Sequence, residues 1–243
     1  MFKIQGTLLV LLVFSFVSHS SEILLIAAGV DKPPYVIQKN NSGFEIELLE
    51  QVFYLMGKSV KFDYLSYGGG AKILDIEGLE AVSSTTEQIY TDTSMLSDVY
   101  IEYQNVAISL AENNFEMSQI SDLSKYSIIS FPLSDRVLGP EFATAVSLSP
   151  MHSKMSIHGK QPEMLMRKRV DVVVMDQQIF MHFLRQTKWA NHPDKVKIHK
   201  IFPANRFRVA FKDKAHVAPF NAALNVFLAS PDYQALVNKY NFH

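Results

Sequence analysis

Strand-like and helix-like segments alternate along nearly the whole chain, and a chain of that kind favours a mainly parallel α/β fold whose helices cover the sheet faces. Ile23 to Ala28 reads as a buried strand, ended by Gly29 and the rigid turn at Pro33-Pro34. Ile46, Leu48, Leu49, Val52, Phe53 and Met56 then recur at helical spacing, with acids in the first turn and Gly57 placed to stop the helix. Val60, Phe62 and Tyr64 alternate as in a strand. Leu79 to Val82 is another buried strand, leading into the hydroxyl-rich turn Ser83-Ser84-Thr85-Thr86. Ser84-Thr85-Thr86-Glu87 has the form of a capping box and predicts a helix start there.

The first run of elements ends near Tyr103 to Ala107, and from Leu123 the alternation restarts. Strands are expected at 127–131, 171–175 and 196–202, with helices near 140–147, 162–168 and 177–186. Phe207 to Phe211 and the helices expected at 218–227 and 231–240 have no lobe of their own and should return to the first. The expected division is a leader at 1–20, a first lobe over 21–105, a second over 106–205, and a return to the first over 206–243.

Lys3, the apolar run Leu8 to Val17 and then Ser18-His19-Ser20 have the form of a secretory signal peptide. The run makes about 15 Å of helix, roughly half the hydrocarbon thickness, so a membrane anchor is the weaker reading. A periplasmic location follows. The sequence contains no cysteine, which removes disulfides and lipid attachment and leaves the mature protein to stand on its core alone. With 23 basic against 24 acidic residues, charge gives no reason to expect nucleic acid or an anionic membrane as partner. The eight histidines are scattered without an i, i+4 pair, and no metal or other cofactor is expected.

Six segments in order resemble the family 3 extracellular solute-binding proteins. They are Asp31-Lys32-Pro33-Pro34-Tyr35, Gly43-Phe44-Glu45-Ile46-Glu47-Leu48, Gly78-Leu79-Glu80-Ala81-Val82-Ser83-Ser84-Thr85, Leu123-Ser124-Lys125-Tyr126-Ser127-Ile128, Arg169-Val170-Asp171-Val172-Val173-Val174-Met175-Asp176, and Asp232-Tyr233-Gln234-Ala235-Leu236-Val237-Asn238-Lys239-Tyr240. The resemblance implies a two-lobed type II periplasmic-binding-protein fold, with hinge crossovers near Tyr103 to Ala107 and Ala204 to Phe207. It further implies a monomer that closes on a small polar molecule, amino-acid-like or cationic, and delivers it to the permease of an ABC importer.

The same resemblance picks out ligand contacts. Tyr35 matches the family's cleft aromatic, where the bland alternative is a half-buried turn residue. Tyr67, beside Gly68-Gly69-Gly70, is a candidate for the opposite face, and those glycines match no phosphate-cradling loop. Ser84 and Thr85 offer hydroxyls, against the competing role of capping. Ser134 follows the second lobe's first strand. Asp176 matches the acid that takes a ligand's ammonium, and also sits where a helix N-cap would.

One part of the pattern is missing. Amino-acid-binding members carry an arginine just after the hydroxyl-rich turn that clamps the ligand carboxylate. Here Gln88 to Asp92 occupy that region, with Gln88 the candidate contact among them, and no lysine or arginine lies between Lys72 and Lys125. Either the ligand lacks an α-carboxylate, or it is cationic, or a cation such as Arg136 or Lys32 serves from elsewhere. A sensor partner for a membrane receptor and a prephenate-dehydratase-like enzyme are the rival readings. The chain shows neither a cationic clamp in lobe one nor a Gly-x-Ser-x-Gly turn, so catalysis is not expected.

Overall fold

The computed structural model describes residues 23–65, 72–132 and 134–242. The expected leader at 1–20 and Tyr67 with its glycine tract lie outside the described residues. The chain forms two α/β lobes, each around one five-stranded sheet. The first sheet contains β1 (Ile23–Gly29), β2 (Ser59–Leu65), β3 (Leu79–Thr85), β4 (Ile101–Tyr103) and β10 (Asn205–Phe211), in the order β2-β1-β3-β10-β4. The second contains β5 (Asn105–Leu110), β6 (Ile128–Ser130), β7 (His152–Lys154), β8 (Val172–Asp176) and β9 (Val196–His199), in the order β7-β6-β8-β5-β9.

Both sheets are mixed rather than mainly parallel. In the first, β1 runs parallel to β2 and β3, but β10 is antiparallel to β3 and β4. In the second, β6 is parallel to β7 and β8, while β5 is antiparallel to β8 and β9. The physical reason is the crossing between lobes. Gln104 alone separates β4 from β5, and residues 200–204 separate β9 from β10. The two crossings run side by side in opposite directions, so each lobe receives one strand laid against its parallel set.

Helices α1 (Phe44–Leu55), α6 (Val217–Leu228) and α7 (Pro231–Tyr240) pack together on the first sheet. The second sheet is flanked by α2 (Ser134–Val137), α3 (Gly139–Ser147), α4 (Lys160–Met166) and α5 (Gln177–Leu184). Helix α1 follows its sequence pattern closely: Phe44, Ile46, Leu48, Leu49, Val52 and Phe53 are all buried, and Gly57 beyond its end takes a left-handed φ of 72°. Phe53 sits between Phe211 and Phe220, with ring centroids 6.1 and 5.3 Å away. Truncating such a fully buried ring costs about 3–5 kcal/mol.

The start of α1 sets up the junction between the lobes. The Phe44 and Glu45 amides, orphans of the first turn, donate to the carbonyls of Pro34 and Tyr35 at 2.9 and 3.0 Å. Only glycine fits at residue 43, where φ is 121° and an added Cβ would lie 2.2 Å from the Tyr35 carbonyl oxygen. Tyr35 and the first turn of α1 are therefore held together, and Glu45 is turned inward.

The helix expected after Ser84 does not form. β3 continues through Thr85, and the chain then turns and runs beside β10, with Leu96 bridged to Ala210 and the Ser97 amide donating to the Val209 carbonyl. Each partner of the expected capping box is taken elsewhere. The Ser84 hydroxyl donates to Glu45, the Ser84 amide donates to the Tyr100 hydroxyl, and Glu87 pairs with Arg208 at 3.0 Å. No helix among the described residues is long and apolar enough to cross a membrane.

Candidate functional site

The carboxyl ends of β1 and β3 face the carboxyl end of β8 across the interlobe crossing, the place where open α/β sheets bind ligands. From the second lobe comes Asp176, which is 4% exposed. Its Oδ1 accepts from the amides of Gln178 and Ile179 at 2.8 and 3.0 Å, capping α5. Its Oδ2 accepts from the Tyr35 hydroxyl of the first lobe at 3.2 Å. Burial lifts this carboxyl to about 6, against the pull of the two capping amides and the Tyr35 hydroxyl.

From the first lobe, Tyr35 is buried rather than half-buried, stacked on Tyr103 with centroids 3.8 Å apart and edge-on to Phe242 at 5.0 Å. Burial, then the charge of Asp176, pushes its hydroxyl well above the usual phenol range, so Tyr35 stays a neutral donor. Tyr103, the last residue of β4, thus touches both Tyr35 and the crossing.

Behind this layer lies Glu45, fully buried. Its Oε1 accepts from the hydroxyls of Ser83, Ser84 and Tyr100 at 3.1, 2.5 and 2.7 Å, and its Oε2 accepts from the Tyr103 hydroxyl. The Lys32 ammonium lies 3.2 Å from Oε2, donates to the Ser84 hydroxyl at 2.9 Å, and stands 4.7 Å above the Tyr103 ring. Burial works to raise the Glu45 carboxyl, but the Lys32 charge and the hydroxyls of Ser84, Tyr103 and Tyr100 outweigh it and hold it below the usual range.

Thr85 is 2% exposed, and its buried hydroxyl has no hydrogen-bond partner. A buried hydroxyl left without a partner among the described residues costs about 1–3 kcal/mol. The remaining sequence candidates fall elsewhere. Gln88 is exposed and lines a cavity of about 340 Å³ with Glu87, Asn205, Arg206 and Arg208. Ser134 is fully buried, with its hydroxyl 2.7 Å from that of Ser130, which in turn meets His152 at 2.8 Å. Arg136 is exposed on α2. The structure thus joins Tyr35 to Asp176 directly and, through Tyr103, to a network of Glu45, Ser84 and Lys32, with Thr85 next along β3. Glu45 escaped the sequence reading because an acid in a helix's first turn ordinarily answers the helix dipole.

Among the described residues no group of histidines, aspartates and glutamates could hold a metal ion. The junction therefore holds a buried carboxylate met by a neutral tyrosyl hydroxyl, a stacked tyrosine pair and a buried threonine hydroxyl.

This two-lobed fold, with its paired crossings and facing strand ends, is the type II periplasmic-binding-protein architecture. An ancestral arginine-binding protein bound to arginine matches it with a TM-score of 0.66 and 19% identity, over 91% of this chain and 99% of that one. The GluR0 ligand-binding core in complex with L-glutamate matches with a TM-score of 0.68 and 13% identity, over 91% and 99%. A histidine kinase sensor domain with similarity to periplasmic binding proteins matches with a TM-score of 0.66 and 14% identity, over 90% and 96%. No family model and no curated protein matches the chain.

Proposed function

We propose that this protein is an exported solute-binding protein of the family 3 kind, which captures a small polar, ammonium-bearing solute between its lobes and hands it to an ABC importer without transforming it. The observation that carries this reading is the placement of Asp176. One of its oxygens is fixed by α5, the other is met from the opposite lobe by a neutral hydroxyl, and the remaining partner is the Gln104 backbone at the crossing, so no cation answers the charge among the described residues. A ligand ammonium that takes over that second oxygen gains a charge-assisted hydrogen bond in a buried setting and releases Tyr35 to pack against the ligand. Thr85 supplies a hydroxyl to the ligand's polar end. Binding energy that spans both lobes is what shifts an open population to a closed one.

Native mass spectrometry of the purified protein, followed by release of any retained small molecule and a calorimetric titration of what is found, tests the reading. A retained amine or amino acid that binds D176N far more weakly supports it. An empty protein that no amine or amino acid stabilises, or a solute that binds D176N unchanged, overturns it.

A further inference from the structure

We propose that Lys32 is a tethered ligand: its ammonium fills, from within the chain, a cation site that Glu45, Ser84 and the Tyr103 ring build in the first lobe. The site has what a primary ammonium needs, namely a carboxylate, a hydroxyl acceptor and an aromatic face. Its walls are fixed independently of the lysine. Glu45 is held by the hydroxyls of Ser83, Ser84, Tyr100 and Tyr103. Ser84 holds a left-handed φ of 50°, unusual for serine, and in that conformation its hydroxyl joins both Glu45 and Lys32. The Lys32 side chain is 18% exposed, so its stem closes the site toward solvent.

The consequence for specificity rests on the binding-protein reading above, whereas the occupancy itself does not. With the first-lobe carboxylate already neutralised from inside, a ligand's own ammonium is left with Asp176, and it meets the first lobe through the Lys32 N–H groups and the Thr85 hydroxyl. Lys32 therefore selects ligands that carry an acceptor group at that end and turns away diamines.

The test is chemical rescue. The full chain carrying K32A is melted in methyl-, ethyl-, propyl- and butylammonium chloride, with sodium chloride at equal ionic strength and the matching alcohols as controls. K32A is expected to melt below the wild type and to recover part of the loss in the alkylammonium salts alone, while the wild type shows no such response. The double variant K32A/E45Q should melt above K32A and ignore the amines. If K32A refolds from urea only in the presence of an alkylammonium, the proposal stands equally. Amine responses of the same size in wild type and K32A, an amine response that survives E45Q, or a K32A chain that no amine restores would each overturn it. Absence of any natural solute would leave these melting results untouched, so the two readings fail separately.

Discussion

Glu45 and Asp176 are both carboxylates sealed at the junction of the two sheets, yet the first is held below the usual range and the second is lifted to about 6. Burial is nearly the same for both. The difference lies in their partners. Glu45 collects four hydroxyl donors and an ammonium, whereas Asp176 has backbone amides and one tyrosyl hydroxyl, and no ion pair among the described residues. On the function proposed above, the carboxylate whose charge is answered is structural and the one left partly unanswered is the ligand's partner.

The contrast can be broken most forcefully at the answered site. E45A strands Lys32 and four hydroxyls, and urea denaturation should show a loss of about 3–5 kcal/mol. A loss below about 1 kcal/mol would mean the network is solvated and the contrast false. At the unanswered site the effect should fall on binding instead. D176N keeps a good N-cap, so it should melt at or above the wild type at pH 7, while an ammonium-bearing ligand binds about 2–5 kcal/mol more weakly by calorimetry.

Acid sharpens the comparison because the two groups respond with opposite sign. Asp176 titrates near 6 when folded and near 3.8 when exposed, so between those values the folded state binds more protons and stability falls as pH rises. That penalty reaches up to about 3 kcal/mol above pH 6, and D176N should abolish it in a pH series of denaturation midpoints. Glu45 contributes stability above its unfolded value, and the contribution is lost as pH falls through its lowered folded one. The smallest effect is expected for Y35F, which removes the one hydrogen bond shown between these lobe faces. It should cost about 1 kcal/mol, and it should push the Asp176 midpoint further above 6 in the same pH series.

Much of the fold was legible because local pattern and tertiary burial agree. The apolar spacing of α1, its stop at Gly57 and the alternation in β2 all reappear in place. The helix expected at Ser84 failed because capping is a local competition for hydrogen bonds, and three distant residues won it: Glu45, Tyr100 and Arg208. The same cause hid half the site. Tyr35 and Asp176 stood out by residue type and position, but their contact joins residues 141 apart, and nothing local announces that Glu45 points inward. Ser134 follows its strand as expected, and its buried hydroxyl meets that of Ser130, a pairing between residues four apart that residue type alone does not announce.

The position of β10 has a consequence for the order in which the molecule is assembled. It lies between β3 and β4, and among the described residues β4 has no other strand neighbour. As the chain emerges with its amino end first, residues 105–204 complete the second sheet while the first still waits for its fifth and last strand, with β3 exposing an unpaired edge. The lobe that begins first is therefore finished last. Chains broken off before residue 205 would carry a sound second lobe beside an open first one, a form suited to capture by a chaperone or to destruction by a protease.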